Sequence, residues 1–194
     1  MRVHGDKHII RRRGINKLKD YRDAREFLEQ DFYNLCGYCG KNGMIMHQKF
    51  HIDHFIPQSK YPEGSNDYYN LVLACPKCNR IKSNKWPTDD VRKANDGRKG
   101  FVDPATDEFD KHVERNNEGY VIGITFVGKS MCSLLNLDIR RTDIYWHIEK
   151  LRKVQKELDE LYNEEQLSGQ EKNYYIELTQ MLNMYIDAAF EKGE

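Results

Sequence analysis

Two pairs of closely spaced cysteines, Cys36-Gly-Tyr-Cys39 and Cys75-Pro-Lys-Cys78, flank the central segment of the chain. Two residues between thiolates let both sulfurs bind one metal ion at about 2.3 Å in a tight turn. Four thiolates leave zinc no open coordination position, so we expect the zinc to be structural. Its binding would supply stability that the hydrophobic core of a small module cannot provide. The alternatives are buried cysteines without a metal, which two matched pairs argue against, and a redox pair, which would need no second pair. The fifth cysteine, Cys132, is expected to be a buried hydrophobic residue.

The gap from Cys39 to Cys75 is longer than the roughly 15–20 residues that separate the pairs of a simple zinc ribbon, which predicts a folded insertion. The insertion contains HIDHFIPQS at residues 51–59, and NLVLACPKCN at residues 70–79 runs into the second cysteine pair. An imidazole with an intrinsic pKa of about 6.5 can accept a proton from water at cellular pH. Carboxylate and amide oxygens suit magnesium or manganese better than a second zinc. Activated water and a cation are what phosphodiester hydrolysis requires.

These blocks resemble the HNH endonuclease family, in which a DH-x-x-P block, an N-L-x-x-x-C-x-x-C-N block and a trailing lysine occur in this order. The resemblance covers residues 36–85. It implies a ββα-metal fold, in which a two-stranded hairpin and a loop are followed by a short helix beginning near Cys78. Asn79 would then lie at the start of that helix.

The resemblance also implies a role for each matched residue. His54 would be the general base, and Asp53 and Asn79 would be the ligands of a catalytic magnesium or manganese ion. Asn70 would hold in place the loop that covers the general base, His54. The structural alternatives are a buried histidine, a turn carboxylate, and asparagines that cap turns or helices. His51 would share a strand face with Asp53, where a solvated histidine is favoured over a further ligand.

Charge is distributed unevenly along the 194 residues, although Lys+Arg 31 balances Asp+Glu 31. Residues 1–100 carry 20 basic and 12 acidic side chains, which gives +8, whereas residues 101–194 carry 11 and 19, which gives −8. A basic half predicts binding to double-stranded DNA through its backbone, with low sequence specificity. The residues expected to contact phosphate are Arg80, Lys82 and Lys85 after the metal ligand, and Arg11, Arg12 and Arg13 near the N-terminus. The alternative is that these side chains are only solvated.

The chain is predicted to be an α+β protein in three parts. Residues 1–14 form a basic arm, residues 15–100 form the zinc-containing nuclease module, and residues 101–194 form a mostly helical extension. A helix is expected over Ile15–Leu35 and an exposed loop over Trp86–Gly100. Strands are expected over Lys111–Arg115 and Tyr120–Val127. From Asp138 onwards, two amphipathic helices separated at Ser168-Gly169 predict an antiparallel hairpin, which could be local core or a docking surface. The sequence contains no apolar stretch near the roughly 20 residues a membrane helix needs, so we expect a cytoplasmic protein without a membrane partner.

The layout is also similar to small bacterial HNH proteins encoded beside an ATPase in anti-phage systems of the Septu type and in retron-associated defence. The matching blocks are GFVDP at residues 100–104, FDKH at 109–112, LNL at 135–137 and RR at 140–141. This similarity implies a partner ATPase that gates cleavage. Two functions compete with the DNA endonuclease: a non-catalytic zinc module that binds nucleic acid or protein, and an RNA-cleaving toxin. The sequence leaves the oligomeric state open.

Overall fold

The computed structural model describes residues 1–15, 17–45, 47–163 and 167–192, and it divides into two compact units, Met1–Arg140 and Arg141–Glu194. This boundary lies forty residues later than the one expected after residue 100. The reason is that Phe101, Phe109 and Leu135 are buried in the same hydrophobic core as Leu71 of the cysteine-rich region. The segment 101–140 is therefore part of the first unit.

A ββα unit forms the centre of the first unit, which confirms the predicted α+β class. Strand β1 (His51–His54) pairs antiparallel with strand β2 (Leu71–Ala74), and helix α2 (Pro76–Lys82) follows directly. The helix begins earlier than expected because Pro76 fits its first turn and the Cys75 sulfur accepts a hydrogen bond from the Cys78 amide at 3.4 Å. Asn79 is consequently the fourth residue of the helix, not its first.

The N-terminal region is more closely packed and less helical than the sequence predicts. Val3 and Ile9 are each 2% exposed, so much of the expected basic arm belongs to the core. A 3-10 turn (Tyr21–Ala24) leads into helix α1 (Arg25–Asp31), which is much shorter than the expected helix. Asp20 caps the start of the 3-10 turn, because its carboxylate accepts a hydrogen bond from the Arg22 amide at 2.8 Å. Asn16, within the expected helix, lies outside the described residues.

The rest of the first unit consists of short elements that pack against the cysteine-rich region. These are helix α3 (Phe109–His112), strands β3 (Val113–Arg115) and β4 (Val121–Gly123), which pair antiparallel, and helix α4 (Phe126–Leu134). The predicted second strand is shorter than expected because the Thr125 hydroxyl accepts a hydrogen bond from the Gly128 amide at 3.1 Å and caps α4.

The second unit is the predicted antiparallel helical hairpin, formed by α5 (Asp143–Asn163) and α6 (Gly169–Lys192). His147 near the start of α5 stacks on Tyr185 near the end of α6, with ring centroids 4.5 Å apart. Tyr175 near the start of α6 donates to Asp159 near the end of α5 at 2.6 Å. The interruption predicted at Ser168-Gly169 coincides with the start of α6, and residues 164–166 lie outside the described residues. None of the helices in the described part of the chain combines the length and apolar character needed to cross a membrane.

Candidate metal centre and catalytic cleft

The four paired cysteines converge on one buried point. Their sulfur atoms all lie within 4.8 Å of one another, and the Cys39 and Cys75 sulfurs are 3.9 Å apart. A tetrahedral zinc with zinc–sulfur bonds of about 2.3 Å would place the sulfurs about 3.8 Å apart. All five cysteines, each within the described residues, are free of disulfide bonds. The cluster therefore fits a structural zinc, with Cys36, Cys39, Cys75 and Cys78 as its ligands.

Two buried arginines from the later part of the first unit support the cluster. The Arg140 guanidinium donates to the Cys78 sulfur at 3.2 Å, which places a positive charge beside thiolates. Arg115 donates to the Cys39 carbonyl at 2.7 Å and to the Val3 carbonyl at 3.3 Å. Gly40 lies between these groups with φ +69°, and a Cβ there would meet the Val3 carbonyl oxygen at 2.3 Å. The N-terminal segment and the segment after residue 100 thus hold the first cysteine pair in place.

Three of the predicted catalytic side chains line one open cleft of about 380 Å³. Asp53 and His54 reach it from the end of β1, and Asn79 reaches it from α2. Tyr21 lines the same cleft from the 3-10 turn that precedes α1. Two consecutive strand residues and one helix residue therefore line a cavity that is open to solvent.

The hydrogen bond made by His54 fixes the tautomer of its neutral ring. Its Nε2 lies 2.8 Å from the Ser65 carbonyl oxygen, which can only accept a hydrogen bond. Nε2 must therefore carry the proton, and in the neutral ring Nδ1 keeps its lone pair. The Tyr21 ring packs edge-on against the imidazole, with centroids 5.0 Å apart. This arrangement provides an oriented base at the edge of the cleft.

Two buried donors converge on one carboxylate oxygen of Asp53. The Tyr38 hydroxyl donates to Oδ2 at 2.5 Å, and the Lys82 ammonium lies 3.1 Å from the same oxygen and 3.5 Å from Oδ1. Burial raises the pKa of Asp53 and lowers that of Lys82, while the attraction between the two groups opposes both shifts. The two shorter contacts engage Oδ2, and Oδ1 has only the 3.5 Å contact with Lys82.

Asn79 is oriented by His51. The Asn79 amide nitrogen lies 3.0 Å from His51 Nδ1, so the carbonyl oxygen of the same amide is left for another partner. His51 is itself an exposed strand residue, as the sequence favours. Asp53 Oδ1 and the Asn79 carbonyl oxygen are hard oxygen donors of the kind that magnesium and manganese prefer. The donor set of the cleft therefore fits either ion.

Asn70 lies behind the cleft and ties down the loop between the two strands. Its Oδ1 accepts from the Ile56 amide at 2.8 Å, and its Nδ2 donates to the carbonyls of Ile56 and Gly64 at 3.1 and 3.3 Å. Ser65, which holds His54, directly follows Gly64. Asn70 therefore contacts the loop that positions the candidate base and does not contact the cleft itself.

Replacing Asn70 with alanine should destabilise the protein and slow the proposed cleavage. The substitution removes three hydrogen bonds to the loop, one of them buried and two partly buried, and an unsatisfied buried group costs about 1–3 kcal/mol. Urea unfolding and the rate of plasmid nicking measure the two effects. Asn183→Ala, at an exposed position of α6, is the control and should change neither. An Asn70→Ala protein with the stability and nicking rate of the wild type would contradict the assigned role.

Some of the residues expected to contact DNA are exposed, whereas others are buried or bonded to other residues of the protein. Arg13 and Arg80 are exposed. Arg11 is buried and forms a bidentate pair with Asp103 at 2.8 and 3.0 Å, whereas Arg12 pairs with Asp31. Lys82 is fully buried against Asp53, and Lys85 donates to the Leu134 carbonyl at 2.7 Å. This corrects the expected interface, because burial and internal pairing leave Arg11 and Lys82 unable to reach a phosphate.

Several residues that shape the site are not apparent from the sequence. They are Tyr38, Ser65, Tyr21, Arg115 and Arg140. Tyr38 lies within the first cysteine pair and Arg140 lies within the RR block at residues 140–141, and these positions are signals that could have suggested a role. Ser65 acts through its backbone carbonyl, which no sequence pattern identifies. Arg140 and Arg115 lie far along the chain from the cysteines that they contact.

Comparison with known proteins agrees with this geometry. Residues 36–85 match the HNH endonuclease family, which confirms the resemblance found in the sequence. The chain is also similar to the Septu protein PtuA of Bacillus mycoides (strain KBAB4), with 24% identity over 170 residues. That similarity covers 71% of this chain and 23% of the relative, so the chain spans less than a quarter of the relative's length. No solved structure matches the chain. It is residues 36–85, the ββα unit with its cysteine pairs and cleft, that carry an HNH endonuclease motif.

Proposed function

We propose that this protein is a metal-dependent HNH endonuclease that hydrolyses phosphodiester bonds in DNA. The observation that carries the proposal is the shared cleft, where an oriented imidazole lies with a carboxylate and an amide suited to a hard cation. The cysteine cluster would hold a structural zinc. A non-catalytic zinc module would have no need for such a cleft.

Each cleft residue has a defined part in the proposed reaction. His54 Nδ1 accepts a proton from the attacking water, while the Ser65 carbonyl keeps the ring oriented. Asp53 and Asn79 would hold magnesium or manganese, which supplies positive charge at the phosphate when bound. Hydrolysis would leave a 5′-phosphate and a 3′-hydroxyl, as the family resemblance implies.

The substrate is proposed to be double-stranded DNA bound with little sequence preference. Arg13 and Arg80 are exposed, as are four basic residues of the loop that follows α2: Arg92, Lys93, Arg98 and Lys99. Backbone phosphates attract such side chains without regard to sequence. An RNA substrate would use the same chemistry, and the experiment below distinguishes the two.

A cytoplasmic role in anti-phage defence, with an ATPase partner, is the wider biological proposal. Its support is the similarity to a Septu protein, together with the short blocks noted in the sequence. A nuclease with low sequence preference would damage the DNA of its own cell, so control by a partner is a reasonable requirement. Cleavage by the isolated chain should then increase when an ATPase encoded by a neighbouring gene is added.

The central experiment compares substrates and metal ions using zinc-loaded protein. We expect supercoiled plasmid to be nicked in magnesium or manganese and to persist without either ion, while tRNA stays intact. Asp53→Ala and Asn79→Ala should each lower the nicking rate by about 10–100-fold or more, the usual effect of disturbing a metal site. Asp89→Ala, an exposed carboxylate of the loop after α2, is the matched control.

Three outcomes would replace the proposal with an alternative. Cleavage of tRNA but not plasmid would indicate an RNA-cleaving toxin. Binding of nucleic acid without cleavage in any ion, with or without the ATPase, would indicate a non-catalytic module. If the Asp53 and Asn79 variants nicked plasmid at the wild-type rate, the cleft would be shown not to take part in the reaction. Addition of EDTA alone would not discriminate, because a chelator also strips structural zinc.

A further inference from the structure

The first cysteine pair is connected to a residue of the cleft, Asp53, through one phenol. Tyr38 lies between Cys36 and Cys39, is fully buried, and donates its hydroxyl to Asp53 Oδ2 at 2.5 Å. A tyrosine hydroxyl is an ordinary donor at neutral pH, so this contact is a hydrogen bond from the phenol to the carboxylate. The zinc ligands and the proposed metal-binding carboxylate are thus one side chain apart.

The second cysteine pair reaches the same oxygen through a lysine. Lys82 lies on α2, one helical turn after Cys78, and its ammonium is 3.1 Å from Asp53 Oδ2. The same ammonium donates to the His54 carbonyl at 2.7 Å. Both halves of the cysteine cluster therefore supply a donor to Oδ2, and Oδ1 has only the longer 3.5 Å contact with the Lys82 ammonium.

We infer that Tyr38 is a positioning residue that orients Asp53 for its divalent cation, and that Lys82 assists it. This inference rests on the proposed function, since it concerns the same site. A carboxylate whose Oδ2 is held by two buried donors presents Oδ1 in one direction, and such supporting hydrogen bonds tune metal affinity. The zinc cluster then fixes the active carboxylate as well as the fold.

A purely structural role for the phenol is the competing explanation, and the chain contains a matched control. Tyr68 is also buried, at 1% exposure, and its hydroxyl donates to a carboxylate, that of Asp31. Asp31 pairs with Arg12 and does not line the cleft. Tyr38→Phe and Tyr68→Phe each delete one oxygen atom and one phenol–carboxylate hydrogen bond, so their structural costs should be similar.

The experiment measures zinc content, manganese affinity and nicking rate for the wild type and both variants. Manganese binding to zinc-loaded protein is followed by electron paramagnetic resonance, which does not depend on activity. We expect Tyr38→Phe to keep its zinc but to bind manganese about 10–100-fold more weakly, the range found for such supporting partners. Its nicking rate should recover partly at high manganese. Tyr68→Phe should keep the affinity of the wild type even if its melting temperature falls.

The contrary results are distinct from failure of the proposed function. Wild-type manganese affinity in Tyr38→Phe would overturn the inference while leaving the endonuclease proposal intact. An equal loss of affinity in both variants would assign the effect to general destabilisation. Loss of zinc from Tyr38→Phe would show that the phenol maintains the cysteine cluster and not Asp53. If the wild-type protein itself bound no manganese and cleaved nothing, the proposed function would fail first.

Discussion

Replacing His54 with alanine is expected to lower the rate of DNA cleavage by about 100-fold or more, the contribution typical of a general base. The prediction follows from the hydrogen bond between His54 Nε2 and the Ser65 carbonyl, which leaves Nδ1 as the proton acceptor in the neutral ring. Alanine removes that acceptor but keeps Asp53 and Asn79. Manganese binding should therefore persist while nicking of the plasmid is lost.

The measurement pairs the nicking rate with zinc content and thermal unfolding, so that loss of chemistry is separated from loss of fold. His8→Ala is the matched control, because His8 pairs with Asp107 outside the cleft. We expect the control to cleave at the wild-type rate. Cleavage by His54→Ala at more than about a tenth of the wild-type rate would remove the imidazole from the role of base.

Replacing Cys78 with serine is expected to prevent stable folding of the ββα unit. Structural zinc sites contribute about 10–16 kcal/mol of apparent binding energy, which exceeds the net stability of many domains. Cys78 also has a second partner, because the Arg140 guanidinium donates a hydrogen bond to its sulfur at 3.2 Å. Loss of one thiolate would weaken zinc binding. It would also leave the buried Arg140 guanidinium without its sulfur partner. Zinc content and the cooperativity of thermal unfolding should both decrease sharply.

Cys132→Ser is the control for this prediction. Cys132 is 2% exposed but lies outside the four-cysteine cluster, and burial raises the pKa of its thiol to about 12. Its replacement should cost about 1–3 kcal/mol for a buried hydroxyl and should leave the zinc in place. A Cys78→Ser protein that unfolds cooperatively at the wild-type temperature would show that the cluster does not hold a structural metal.

The sequence predicts the centre of the fold well because metal chemistry constrains spacing along the chain. Two residues between thiolates identify each cysteine pair, and the DH and NLxxxCxxCN blocks place Asp53, His54 and Asn79 around them. The structure brings these three side chains to one cleft, as the resemblance implies. Their catalytic roles stay predictions that the experiments above address.

The sequence predicts the surroundings of the site less well because they depend on tertiary partners. Arg11 belongs to a basic run typical of a solvated arm, yet its partner Asp103 lies 92 residues later and draws it into the core. Lys82 has the position of a phosphate-binding lysine, yet it is buried against Asp53. A local charge pattern does not reveal which charges are paired.

The proposed reaction requires one cation and one imidazole acting on a single phosphate. The most direct measurement is anomalous diffraction from crystals of zinc-loaded His54→Ala protein with a DNA duplex and manganese, since the missing base preserves the uncleaved substrate. We predict one manganese peak bound by Asp53 Oδ1, the Asn79 carbonyl oxygen and a phosphate oxygen, with that phosphate beside residue 54. A duplex bound with no manganese peak in the cleft, or with its phosphates away from residue 54, would contradict the account.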